Sequence, residues 1–115
     1  MAYRVDIEID QGTDTEAGYE FFDDAQRPIS FVGYSAHMQV RRTATSQIVI
    51  DELSTDTTPE RIRFCGNLVS IVWPREVTQE LKAGRYVYDL EVTAPGGAVT
   101  RIMEGAFVLR QEITR

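Results

Sequence analysis

Few side chains in this sequence are of the types that perform catalysis. The only histidine is His37 and the only cysteine is Cys65. His37 falls on the polar side of an alternating segment, and no nucleophile elbow, glycine-rich phosphate loop or paired-histidine pattern accompanies it. Cys65 has Arg61 and Arg63 as its nearest charged neighbours and no evident base, which is typical of an inert, small apolar residue. The sequence therefore predicts neither an enzyme nor a bound cofactor.

Carboxylates are concentrated near the start of the chain, at Asp10, Asp14, Glu16, Glu20, Asp23 and Asp24. Hard cations bind such oxygen ligands, but the spacing does not match the D-x-D-x-D-G loop of calcium sites. A single cysteine excludes the zinc patterns that need paired thiolates. We therefore predict no metal site, and interpret the cluster as a solvated acidic loop or a charged surface that meets an arginine-bearing partner.

Three aromatic residues, Trp73, Tyr86 and Tyr88, could form a platform for binding sugars. Their spacing is more typical of a packed core, which is the interpretation we adopt. Asp89 lies between Tyr88 and Leu90 on the more polar side of its segment. Two interpretations stay open for its carboxylate: plain exposure to solvent, or pairing with backbone donors or with an arginine on a neighbouring strand.

Length and charge restrict the classes of protein and partner. The 115 residues carry a net charge of −6, and residues 1–60 hold four arginines against twelve carboxylates. A field of that sign repels nucleic acid and anionic membranes, so neither is expected as the main partner. No long apolar run or basic-then-apolar leader is present, which predicts a soluble chain that is not exported. The length favours one domain spanning residues 1–115, and no small-molecule substrate is expected.

Apolar and polar residues alternate along most of the chain, which predicts strands rather than helices. The predicted strands cover residues 3–10, 19–22, 34–42, 48–53, 61–65, 67–73, 86–93 and 98–109. Residues 11–18 are interpreted as a turn. Residues 74–81 break the alternation, because Pro74 suits a first helical turn; we predict one short helical turn there, ended by Gly84.

Turn residues predict how some of these strands pair. Gly66 and Asn67 separate two strands and favour a hairpin. Pro95 followed by Gly96 is the signature of a type II turn, which would pair residues 86–93 with residues 98–109. Gly105 is predicted to form a β-bulge. Together these features predict an all-β fold, an antiparallel immunoglobulin-like β-sandwich with one short helical turn.

Three segments resemble a group of small structural proteins of tailed phages and prophages. They are DQGTD at residues 10–14, PISFVGYSAHMQVR at 28–41, and LKAGRYVYDLEVTAPGGAVTRIMEGAFVLRQEITR at 81–115. The group runs as QGxD, then PxxLxGYxAxMQxR, then LxAGxYxYDLEVTxPxGxVTR. The chain departs from it at Phe31-Val32, where the pattern has a leucine, and at residues 13–16, which are more polar than the pattern.

The resemblance implies a non-enzymatic virion protein with an immunoglobulin-like or baseplate-upper-protein-like domain. The expected place is the tail, the baseplate or the fibre attachment, in a virion assembled in the host cytoplasm. Expected partners are other virion proteins and copies of the chain itself. A capsid decoration or cement protein is one alternative, and a receptor- or carbohydrate-binding module is another.

The acidic start of the chain is the predicted contact surface for such a partner. The residues proposed for it are Asp6, Glu8, Asp10, Asp14 and Glu16. An edge strand with a charged outer face resists random pairing, yet accepts a specific partner of opposite charge. A solvated face that serves only solubility is the alternative interpretation.

Overall fold

The computed structural model describes residues 2–114, which form nine strands and one short helix. In chain order these are β1 (Tyr3–Arg4), β2 (Ile7–Asp10), β3 (Thr15–Glu20), β4 (Ser35–Arg41), β5 (Val49–Ser54), β6 (Ile62–Cys65), β7 (Leu68–Trp73), α1 (Arg75–Thr78), β8 (Gly84–Thr93) and β9 (Val99–Arg110). Within residues 2–114 no helix is long and apolar enough to cross a membrane.

The strands form two sheets packed face to face. Sheet 1 has the order β5-β4-β8-β9, with β1 and β2 lying one after the other along the outer side of β9. Sheet 2 has the order β3-β7-β6. Both β1 and β2 run parallel to β9, whereas all other pairs are antiparallel. The sandwich is thus antiparallel apart from the β1–β2 edge, which adds to β9 in parallel.

The strand order is that of an immunoglobulin-like sandwich. In that fold, three strands named B, E and D face a sheet built on strands C, F and G. Here β3, β7 and β6 occupy the first set, and β4, β8 and β9 occupy the second, with β5 added beyond β4. The predicted all-β, immunoglobulin-like sandwich is confirmed.

The core lies between the sheets and is filled by the inward side chains of both. The side chains that are almost fully enclosed include Met38, Val40, Leu53, Ile62, Val69, Ile71, Trp73, Leu90, Met103 and Phe107. Trp73 of sheet 2 and Phe107 of sheet 1 meet with ring centroids 5.7 Å apart. The buried residues alternate with exposed or half-buried ones along most of these strands, because neighbouring side chains on a strand point to opposite sides of the sheet.

The β8–β9 hairpin is confirmed, but its turn and its bulge differ from the prediction. The positive φ (97°) is at Gly97 and not at Gly96, where a type II turn needs it. The Gly97 amide donates to the Ala94 carbonyl, as in a three-residue hairpin loop that ends in a left-handed residue. The bulge is in β9 at Ile102, because Leu90 pairs with Met103 and Glu91 pairs with Arg101, which leaves Ile102 without a partner in β8. Gly105 is in regular register with β8.

The predicted strand over residues 3–10 is interrupted at Val5 and Asp6. The Asp6 carboxylate accepts the Ala106 amide at 3.0 Å, in place of a backbone partner. The Val5 carbonyl lies against Gly105, where a Cβ atom would come within 2.3 Å of it. Gly105 is thus required by the close approach of another backbone, not by a bulge.

Two further boundaries differ from the predictions. Strand β3 already begins at Thr15, inside the predicted turn, because its inward residues pair with those of β7 in a regular register. Helix α1 ends at Thr78 rather than at Gly84, which begins β8. The buried Thr78 hydroxyl donates to the Thr13 carbonyl at 3.0 Å, fastening the helix to the β2–β3 loop. The hairpin around Gly66 and Asn67 is confirmed.

Candidate protein-binding surfaces

The acidic residues predicted to bind a partner do not share one surface. Glu8 and Asp10 project from the outer face of sheet 1, because the alternate residues of β2 are buried beneath them. Glu16 projects from the outer face of sheet 2. The two faces are on opposite sides of the sandwich, so a partner would have to use one of them or reach around the edge.

On sheet 1, the carboxylates of β2 are paired with an arginine of β9. Arg110 contacts Glu8 at 2.9 Å and Asp10 at 2.7 Å, and all three side chains are about half exposed. Hydrogen bonds to Asp10 and the nearby negative charges raise the pKa of the Arg110 guanidinium. Part of the acidic character seen in the sequence is thus compensated in the fold.

Asp6 and Asp14 have local structural contacts. The Asp6 carboxylate holds the Ala106 amide at the interruption between β1 and β2. The Asp14 carboxylate accepts the Arg75 amide at 2.7 Å, at the start of α1. A free amide at a helix start is commonly satisfied by such a carboxylate. Both residues therefore shape the backbone whether or not they also contact a partner.

A shallow trough of about 660 Å³ lies on the outer face of sheet 1. Its floor includes Val87 and Asp89, and one wall is the β4–β5 loop. Arg101 contacts Asp89 at 3.3 Å and Glu104 at 3.2 Å across the floor. Of the two open interpretations of Asp89, pairing with an arginine of the next strand is therefore the one observed.

His37 is exposed, as predicted, and contacts a carboxylate of the neighbouring strand. Its Nε2 atom lies 2.8 Å from Glu52, which also accepts a 2.6 Å hydrogen bond from Gln39. These hydrogen bonds, that of Gln39 foremost, lower the pKa of the Glu52 carboxyl. Cys65 lies on sheet 2, away from His37, and is exposed rather than packed as the expected small apolar residue. The fold does not bring the two groups together.

The three aromatic residues considered for sugar binding are in the core. Trp73, Tyr86 and Tyr88 are each less than 5% exposed. The core interpretation is confirmed, and these side chains offer no platform to a ligand. The Tyr86 hydroxyl donates to the carbonyl of Lys82, which precedes β8. This arrangement is the tyrosine corner of immunoglobulin-like domains.

Sequence reasoning missed one buried ion pair. Arg61 donates two hydrogen bonds to Asp51, at 2.8 and 2.9 Å, and a third to the Val72 carbonyl at 3.2 Å. Asp51 is on β5 of sheet 1, and Arg61 directly precedes β6 of sheet 2, so the pair joins the sheets. A signal was present, because Asp51 occupies the inward side of β5 two residues before Leu53. A carboxylate on an apolar face usually has a partner.

Tyr88 connects β8 to the interrupted edge strand. Its hydroxyl donates to the Val5 carbonyl. Burial, followed by the charges of nearby groups, raises the pKa of the Tyr88 phenol. The folded protein therefore holds this proton more tightly than the unfolded chain.

Replacing Tyr88 by phenylalanine is expected to reduce the loss of stability at alkaline pH. The unfolded phenol begins to lose its proton near pH 10, and the folded phenol only at a higher pH, so the folded state binds more protons in between. Stability therefore falls as pH rises through that interval, by at most about 1.4 kcal/mol per pH unit for this group. Denaturant unfolding from pH 8 to pH 11 measures the slope; equal slopes for Tyr88→Phe and wild type would contradict the prediction.

The comparisons with known proteins concern the fold alone. No protein-family model matches the chain, and no curated protein matches it. Among 42 matching chains of solved structures is murine CRIg, which is 15% identical over 93% of this chain and 92% of that chain, with a TM-score of 0.41. A similarity of this degree carries no function from one protein to the other.

Proposed function

We propose that this chain is a non-enzymatic structural protein of a tailed-phage virion, in the tail, baseplate or fibre attachment, that acts by binding other virion proteins. The observation that carries the proposal is that, within residues 2–114, each sheet ends in strands that are paired on one side only. β5 and the β1–β2 edge bound sheet 1, and β3 and β6 bound sheet 2. Strand edges are common sites of protein association.

Two further points support a binding role over a catalytic one. Among residues 2–114, no three His, Cys, Asp or Glu side chains are grouped so that they could hold a metal ion. The two side chains considered above as catalytic groups, His37 and Cys65, are on different sheets. The phage setting is supported by the three motif segments at residues 10–14, 28–41 and 81–115, and is part of the proposal.

The proposal predicts that the protein co-purifies with particles of the phage that carries its gene. Quantitative mass spectrometry of separated tails and heads is the measurement. Enrichment in tails is expected, and enrichment in heads would favour the capsid decoration alternative. Absence from both fractions would contradict the virion proposal. Flanking tail or baseplate genes would be a first indication in its favour.

The same particles can test the acidic face of sheet 1. Reversing Glu8 and Asp10 to lysine is expected to reduce incorporation, most clearly at low salt, where repulsion of a basic partner is least screened. Asp6 is left unchanged because its carboxylate holds the Ala106 amide. A matched control adds Arg110→Glu to the two lysine substitutions. It restores ion pairs between β2 and β9 with the signs exchanged, while the two introduced lysines remain to repel a basic partner. Full incorporation of both variants would contradict a contact role for this face.

A further inference from the structure

Strand β3 is an edge strand of sheet 2, and an apolar groove lies beside it. It pairs with β7 on one side, and the described residues place no strand on its other side. A groove of about 600 Å³ separates the end of β3 from the N-terminal segment that pairs with β9. Its apolar lining is Tyr3, Val5, Tyr19, Phe21, Phe22 and Met103. An edge beside such a groove offers both backbone hydrogen bonds and pockets for side chains.

The groove exposes aromatic surface that the sandwich itself does not cover. Tyr3 is 52% exposed and Phe22 is 37% exposed, although the core is otherwise well enclosed. The Tyr3 ring lies 5.8 Å from the Phe21 ring, so it leans across the gap between the two sheets. Arg4, a basic residue of the lining, has Asp6 as its ionic partner at 3.6 Å.

The charges of β3 indicate what could pair with it. Glu16, Gly18 and Glu20 face outward, and Thr15, Ala17 and Tyr19 face the interior. The strand has no basic residue. A second copy of β3 could therefore place only neutral or acidic side chains opposite the two glutamates, and like charges directly opposite one another are destabilising.

We propose that the β3 edge binds an extended segment of another protein, with the order basic, apolar, any residue, apolar, basic. The basic residues would lie opposite Glu20 and Glu16, and the apolar ones opposite Tyr19 and Ala17, since directly opposed residues share a face of the sheet. No two lysines or arginines of this chain stand four apart. The segment 37–41 has this order with a histidine in the first place, but it belongs to β4, which is already paired with β5 and β8 on its two sides. The inference deepens the proposed binding function by naming the chemistry of a partner.

The test uses the full chain, labelled with ¹⁵N, and a synthetic peptide of the order lysine, valine, threonine, valine, lysine, flanked by threonines. We expect saturable binding with amide shifts concentrated in residues 15–20. A peptide with glutamate in place of lysine should bind roughly tenfold more weakly, because two attractive cross-strand pairs become repulsive. Shifts confined to other strands, or no saturable binding at millimolar peptide, would overturn the proposal.

Charge reversal separates this site from general electrostatics. The variant Glu16→Lys with Glu20→Lys should prefer the glutamate peptide over the lysine peptide. The control, Asp56→Lys with Glu60→Lys, reverses two exposed carboxylates at the same spacing in the β5–β6 loop and should keep the wild-type preference. Equal loss of lysine-peptide binding in both variants would overturn the proposal.

Backbone pairing can be tested on the unmodified protein. N-methylation of alternate peptide amides should abolish binding for the set that faces β3 and spare it for the other set. Equal binding of both methylated peptides would overturn strand addition. These measurements do not depend on a virion. A negative result would overturn strand addition at β3, while the virion proposal would still be decided by mass spectrometry of the particles. Conversely, absence of the protein from particles would not contradict peptide binding at β3.

Discussion

Replacing Asp51 by alanine is expected to lower the free energy of unfolding by about 3–5 kcal/mol. The substitution leaves the Arg61 guanidinium, which is only 12% exposed, without its carboxylate partner. Its remaining hydrogen bond, to the Val72 carbonyl, does not compensate a buried charge. Urea or guanidinium unfolding at neutral pH is the measurement.

Two control variants show whether the cost arises from the uncompensated charge. Arg27→Ala removes an ion pair to Asp23 at the surface, where the guanidinium is 77% exposed, and should cost less than about 1 kcal/mol. The double variant Asp51→Leu with Arg61→Met replaces both charges by apolar groups and should recover most of the loss. If Asp51→Ala and Arg27→Ala were equally mild, the buried pair would not hold the two sheets as we infer.

Replacing Gly105 by alanine is expected to destabilise the protein by about 1–3 kcal/mol. The added Cβ would lie 2.3 Å from the Val5 carbonyl oxygen, a backbone atom that cannot rotate away. The edge strand would have to move outward, and the Tyr88 hydroxyl would lose its acceptor. Thermal or denaturant unfolding measures the loss.

A matched glycine serves as the control. A Cβ atom added at Gly96 would meet no heavy atom within 4 Å, and the φ of Gly96 is not positive, so Gly96→Ala should change stability by less than about 0.5 kcal/mol. In a double-mutant cycle, Gly105→Ala and Tyr88→Phe should cost less together than the sum of the single variants, because both act on the Val5 carbonyl. Additive losses would contradict that coupling.

Local patterns in the sequence were enough to predict the main elements. The alternation around Met38 and Val40 predicted both a strand and its buried face, since side chains on a strand point alternately to its two sides. The same rule located β8 and β9, and the turn residues between them predicted their pairing. Exposure of His37 also followed from alternation alone.

The candidate surfaces depended on contacts between distant segments, which alternation does not encode. Asp51 and Arg61 meet because β5 and β6 belong to different sheets, and Arg110 meets Asp10 because the two ends of the chain pair in parallel. The acidic segment was visible in the sequence. Its division between the two outer faces was not, because the chain crosses from sheet 1 to sheet 2 between β2 and β3.

The sequence by itself determined that this chain is an all-β protein with few side chains of the types that perform catalysis and with an acidic first segment. Those properties follow from residue types and their periodicity, which are local. Only the tertiary structure decided that β3 is an open edge beside exposed Tyr3 and Phe22. Whether a strand is at an edge depends on which other strands pair with it, and those partners are far apart in the chain.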